Sequence, residues 1–186
     1  MKKYSNGNGL SEKILSGVNK LADNVASTMG PGGRNVILHQ AGTNPIITKD
    51  GVTVANFVEF EDPFENAAAQ IIKQASEKTN SLAGDGTTTA TVLARAILIN
   101  AQKYLKAGSN PVELKRGIDA AVEKVVDAVS EQAQPISSEE DIANIATISA
   151  NGDSVIGSLV AKAVDLVGKD GAITIQEARS HETSLD

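Results

Sequence analysis

From Leu10 onward the apolar residues Ile14, Val18, Leu21, Ala22, Val25 and Met29 recur at steps of three and four, the spacing that lines one face of a helix. The glycine-rich GPGG at Gly30 to Gly33 must end it. The pattern then changes. NVILHQ and PIIT are short β-branched runs around the turn-forming AGTN, and KDG separates them from VTVANFVEF. Together they predict a small sheet or hairpin inserted between helices. Helical spacing resumes from Phe64 to Ala83 through Ala68, Ile71, Ile72, Ala75 and Leu82, and Gly84 stops it.

A third helix starts in AGDGTTTATVLA and runs to about Ala107, with Val92, Leu93, Ala96, Ile97 and Leu105 at helical spacing. A fourth restarts at GSNPVELKRG. Asn110 stands at the cap, Pro111 at the first position and Glu113 at the third, a capping-box signature with proline in its preferred place. Leu114, Ile118, Ala121, Val122, Val125 and Val129 form its face, and Pro135 in QAQP marks a candidate domain boundary. Beyond it, SSEEDIANIATIS reads as a short capped helix. Asp153 to Val167 reads as another, with Ile156, Leu159, Val160, Ala163 and Val164 inward, and GAITIQEA reads as a strand. The predicted fold is mainly α with a small β-hairpin, followed by an α+β segment.

Composition narrows the function. With 186 residues, three Phe, two Tyr and no Trp, the core must be built from Ala, Val, Ile and Leu, and the chain is long enough to bury one. The net charge of -6 comes from interspersed acids and bases, so there is no basic stripe to neutralise a phosphate backbone and nucleic acid is not an expected partner. Cysteine is absent, which removes disulfides, thiolate nucleophiles and cysteine-ligated zinc together. His39 and His181 have no carboxylate pattern around them and read as solvated surface residues. MKKYSNGNGL has no apolar run behind its lysines, and no stretch reaches the about 18 apolar residues of a membrane span. The expectation is a cytoplasmic, soluble chain.

The candidate chemistry lies in three loops. GDGTTT is a costly way to start a helix, since each threonine loses roughly half a kcal/mol against alanine. It is a good way to receive phosphate. A helix N-terminus offers unpaired N–H groups and partial positive charge. Gly84 and Gly86 remove side-chain bulk, Thr87, Thr88 and Thr89 add hydroxyls, and Asp85 brings a hard oxygen suited to Mg²⁺. The competing reading is that Asp85 merely caps the helix and the threonines are incidental. TMGPGGRN, from Thr28, can wrap an anion with successive backbone amides, or can simply stop a helix. ITKDGVTV can be an ordinary Asp-Gly hairpin turn; it also sets Lys49, a phosphate-seeking cation, beside Asp50, an acid able to orient water. No G-x-x-x-x-G-K-[ST] spacing is present in any of these loops.

Taken in order, MGPGGRNVIL, ITKDGVTVA, FENAAAQ, AGDGTTTATVLA, NPVELKRGID, TISAN and VGKDGAITI resemble the group I chaperonins, the bacterial GroEL family. The likeness runs from about Leu10 to Asp186, and GDGTTTATVLA is its most specific part. It implies an ATP-dependent chaperonin subunit that assists folding by encapsulating unfolded polypeptide clients in a ring of like subunits closed by a co-chaperonin lid. ATP and Mg²⁺ are the implied cofactors, with K⁺ a further candidate cation. Residues 1–133 would be the first part of the equatorial, nucleotide-binding domain, and residues 134–186 the first part of the intermediate domain. By matching motif, Thr28, Met29, Gly30 and Pro31 would line phosphates and sugar, and Lys49 would approach a phosphate oxygen. Asp85 would hold Mg²⁺, with Gly86, Thr87, Thr88 and Thr89 gripping phosphates. Asp50, the catalytic candidate, would help position the attacking water near the γ-phosphate, and Ile148 would sit beside the adenine.

Two positions depart from the family pattern: Gly32 stands where lysine is usual, and Gly42 where the hairpin tip carries an aromatic. The family's apical domain and its principal catalytic aspartate would lie beyond Asp186, so little turnover is expected of these residues alone. The alternative is a truncated, non-enzymatic chaperonin-like module that joins or modulates rings.

Overall fold

The computed structural model describes residues 3–168, 171–176, 183 and 185. Among these, seven helices and one two-stranded sheet form, in the order α1 (Gly7–Ala26), β1 (Val36–Leu38), β2 (Ile46–Thr48), α2 (Gly51–Phe57), α3 (Pro63–Ala83), α4 (Thr87–Lys106), α5 (Pro111–Gln132), α6 (Glu139–Ser149) and α7 (Ser154–Val167). The chain divides into two compact units, Met1–Glu123 and Lys124–Asp186, the division falling within α5.

In the first unit α1, α3 and α4 pack on one another, and α2 fits against all three. The core comprises Val18, Leu21 and Val25 of α1, Val54 and Ala55 of α2, and Ala68, Ala69 and Ile72 of α3. Ala94 and Leu98 of α4 pack against its edge. Small side chains allow backbones to approach closely. A Cβ on Gly17 would lie 2.1 Å from the Glu65 carbonyl oxygen, so α3 begins directly against α1. Side chains fix the same contact: Lys13 donates to Asp62 at 2.6 Å, Lys20 to Glu65 at 2.6 Å and Ser16 to Glu65 at 2.8 Å. The Lys13 hydrogen bond, more than any other influence, holds the Asp62 carboxyl down from an ordinary 3.8 to about 2. Lys20 foremost, then Ser16, lowers that of Glu65.

The hairpin forms as expected, antiparallel with Val36 opposite Thr48 and Leu38 opposite Ile46. Gly42 in its connecting turn has φ +85°, a conformation that glycine adopts without steric cost. The run VTVANFVEF departs from expectation. Its first half is α2, because Asp50 caps a helix there, accepting from the Thr53 N–H at 2.8 Å. Gly51, Val54 and Ala55 are buried, and burial at steps of three and four outweighs the β-branched alternation. KDG is therefore a helix start and not a hairpin turn.

Asn110 caps α5 through the N–H groups of Val112 and Glu113, at 2.8 and 3.4 Å. The Glu113 carboxylate accepts from Arg116. A full capping box forms instead at α6, between Ser138 and Asp141. There the backbone N–H of Ser137, followed by the bonds from Ser138, keeps the Asp141 carboxyl below its usual range. In the second unit α6 and α7 pair, and Asp153 caps α7 through Val155 and Ile156. The strand expected over 171–178 does not form over 171–176; residues 177 and 178, like His181, lie outside the described residues. A strand needs a ladder partner, and the β1–β2 pair is the one sheet among the described residues.

Candidate functional site

The candidate residues lie on three chain segments, at the end of α1 and at the starts of α2 and α4. The first is the turn after α1. Thr28 is buried and its hydroxyl donates to the Val25 carbonyl at 2.8 Å. Gly30 takes φ +68°, the Gly33 N–H donates to the Gly30 carbonyl at 3.0 Å, and the Arg34 N–H returns to the Ser27 carbonyl at 2.9 Å. A Cβ on Gly33 would be 2.1 Å from the Thr28 carbonyl oxygen, so the loop closes tightly on itself. Met29 and Pro31 are exposed on it.

The second segment carries Lys49 and Asp50, both half-buried, into α2. The Asp50 carboxylate accepts from both the N–H and the hydroxyl of Thr53, at 2.8 and 2.5 Å. Its own N–H is held by the Thr48 hydroxyl at 3.0 Å. The acid is thus oriented by its own helix.

The third segment is Gly84 to Thr89. Gly84 ends α3 with φ +71° and Gly86 precedes α4 with φ +81°. No side chain caps α4, so its first-turn N–H groups keep their hydrogen-bonding capacity for something outside the helix. Asp85 is exposed, and one of its oxygens accepts from the Gly86 N–H at 2.6 Å. It does not cap α4. Thr87 is buried, Thr88 half-buried and Thr89 exposed, so the three threonines fan from core to solvent.

Contact between the second and third segments is direct. A Cβ on Gly51 would lie 2.1 Å from the Thr88 hydroxyl oxygen and 3.3 Å from Val25 Cγ1, which brings the starts of α2 and α4 together at the end of α1. Gly51 and Thr53 were not singled out by the sequence reading, although Gly51, Val54, Ala55 and Val58 fall at helical spacing. Ile148 belongs to the second unit, on α6, and is 66% exposed.

The residues present suit a magnesium nucleotide. Among the described residues no three His, Cys, Asp or Glu side chains gather to hold a metal unaided. Mg²⁺ requires no such cage, since it is commonly held by one or two carboxylates with phosphate oxygens and water completing the shell. Asp85 beside an uncapped helix start is such an arrangement.

The profile of the TCP-1/cpn60 chaperonin family matches residues 21–184. Among solved structures, the chain is similar to the chaperonin gp146 from a bacteriophage (Pseudomonas aeruginosa), crystallised in the presence of ATP-BeFx. That match has 28% identity and a TM-score of 0.71, covering 89% of this chain and 29% of that one. A group III chaperonin in the open state has the same fold over 86% of this chain and 32% of its own, at 24% identity and a TM-score of 0.70. The chain thus spans about a third of the length of either structure. With the profile covering all but the first 20 residues and the last two, the chain belongs to the TCP-1/cpn60 chaperonin family.

Proposed function

We propose that residues 1–133 belong to an equatorial, ATP-binding domain, and that the chain is a segment of a cytoplasmic chaperonin subunit of the group I kind. Residues 134–186 would be the start of its intermediate domain. The observation that carries this reading is the uncapped start of α4, with its threonines, meeting the Gly51 start of α2 at Val25 near the end of α1. Three of the seven motifs that resemble the group I family, MGPGGRNVIL, ITKDGVTVA and AGDGTTTATVLA, lie on the turn after α1 and at the starts of α2 and α4.

In this reading the N–H groups and hydroxyls of Thr87, Thr88 and Thr89 receive phosphate oxygens, as helix starts do. Gly86 keeps the approach open, since the nearest atom to a Cβ there would be Thr79 Cγ2 at 3.8 Å. Thr28, Met29, Gly30 and Pro31 border the phosphates and sugar from the other side, and Lys49 supplies a positive charge. Asp85 holds Mg²⁺, which when bound neutralises charge developing on the phosphates. Asp50, already oriented by Thr53, accepts a hydrogen bond from the attacking water. Phosphoryl transfer is largely a matter of such positioning. Like subunits in a ring, a co-chaperonin lid and unfolded polypeptide clients are the partners that follow from the same reading.

The test is calorimetric titration of the 186-residue chain with ADP, with and without Mg²⁺. Saturable, Mg²⁺-dependent binding that disappears in Asp85→Ala is expected. Binding indifferent to both Mg²⁺ and Asp85 would overturn the assignment. Because Asp85 and Thr89 are exposed, water screens the site's electrostatics, so hydrolysis by these residues alone is expected to be slow even where binding is clear.

A further inference from the structure

We propose that Gly51 is a positioning residue for Thr88: its missing side chain lets the Thr88 hydroxyl lie against the first turn of α2, next to Asp50. The inference deepens the nucleotide reading above and rests on it for its consequence for ligand binding, though not for the packing it describes.

Gly51 is the first residue of α2 and is buried. Alanine would be a better helix former there, and the backbone does not call for glycine, because Gly51 is not among the positive-φ residues. Space is the remaining requirement. A Cβ would stand 2.1 Å from Thr88 Oγ1, 3.2 Å from Thr88 Cβ and 3.3 Å from Val25 Cγ1. The first distance is far inside van der Waals contact, and Val25, fully buried in the core, already stands at a tight distance from the same point. An added methyl group must therefore rotate the threonine or push α4 away from α2. Gly84 and Gly86 differ in kind. Both have positive φ and open surroundings, so they serve the turn, whereas Gly51 serves the contact.

The two N-terminal ends joined here carry different groups. α2 begins with the Asp50 carboxylate, and α4 begins with unpaired N–H groups and hydroxyls. Fixing Thr88 against Gly51 fixes the spacing between the acid assigned to water and the donors assigned to phosphate. A shift of about 1 Å in such a spacing can cost a hundredfold in rate.

The experiment compares wild type, Gly51→Ala, Thr88→Ala and the double variant in the 186-residue chain. Urea unfolding is measured without nucleotide, and Mg·ADP affinity is expressed per folded molecule. Gly51→Ala should destabilise, and Thr88→Ala should relieve most of that loss by removing the oxygen in the way. Affinity should fall at least tenfold in Gly51→Ala, and the double variant should bind no worse than Thr88→Ala. A Gly51 with a merely structural role would lower stability and leave the affinity of folded molecules unchanged. Additive stability losses, or unchanged affinity in Gly51→Ala, would overturn the proposal. Should Gly51→Ala not fold, recovery of folding in the double variant supports it and failure of both overturns it. If wild type itself does not bind Mg·ADP, the nucleotide reading fails, while coupling in the unfolding cycle still decides whether Gly51 positions Thr88.

Discussion

Asp50 and Asp85 look alike in the sequence, each an acid followed by glycine, and the structure separates them. Asp50 is engaged at both oxygen-seeking groups of Thr53 and caps α2, whereas Asp85 is exposed and takes the neighbouring Gly86 N–H. Asp50→Ala is therefore expected to cost about 1 kcal/mol, the usual loss of an N-cap, in urea unfolding, while Mg·ADP still binds the folded fraction. Asp85→Ala should leave the unfolding midpoint in place and remove the Mg²⁺-dependent part of binding. Equal loss of binding in the two variants would show the division of roles to be wrong. Residue types and spacing marked both acids and the threonines as candidates. That Asp50 is held by Thr53 was not legible, because the KDG run satisfies a turn as well as a cap.

Helices with an alanine-rich stripe were the easiest elements to read, since Val18, Leu21, Ala22 and Val25 of α1 are all buried as their spacing requires. Faces were read less well where apolar residues occupy more of the helix than the core can cover. Ile71 and Leu82 of α3 are 67% and 76% exposed, while Ala69 and Ser76 take the buried positions. Period identifies a helix, but close packing selects the smaller side chain at a tight crossing. Two substitutions test this crossing. Gly17→Ala, which drives a methyl group into the Glu65 carbonyl, is expected to destabilise by about 1–3 kcal/mol, as overpacking does. Ser76 is fully buried with no hydrogen-bond partner for its hydroxyl. Ser76→Ala removes an unsatisfied polar group and improves helix propensity, so a gain of about 1 kcal/mol is expected in the same assay.

For the molecule as a whole, acid stability follows from the α1–α3 ion pairs. Asp62 ionises at about 2 in the folded chain against an ordinary 3.8. The stabilisation is complete above the unfolded value and is lost as pH falls through the folded one. Between pH 3.8 and about 2, the urea midpoint of wild type should fall more steeply than that of Lys13→Met, the two curves converging at the acid end. Parallel curves would remove Lys13 as the cause. Surface composition sets a second expectation. Leu93, Ile97 and Tyr104 of α4 and Val122, Val125, Val126 and Val129 of α5 are all substantially exposed. Apolar faces of this extent favour association, and light scattering that rises with protein concentration is the expected result. The sequence indicated a helical fold with one hairpin. It could not show how far its apolar faces would be covered, since burial depends on which elements meet.

The ion pairs that seat α3 on α1 join residues 49 and 45 positions apart along the chain, whereas α6 and α7 pair with their immediate neighbour. Loop closure makes distant partners slow to meet, so the α6–α7 hairpin is expected to form before the Gly51–Thr88 junction, which would then be missing from the folding barrier. A junction absent from the folding barrier is felt on one side of it alone. A ligand held there would lengthen the lifetime of the native state and leave the refolding rate as it was.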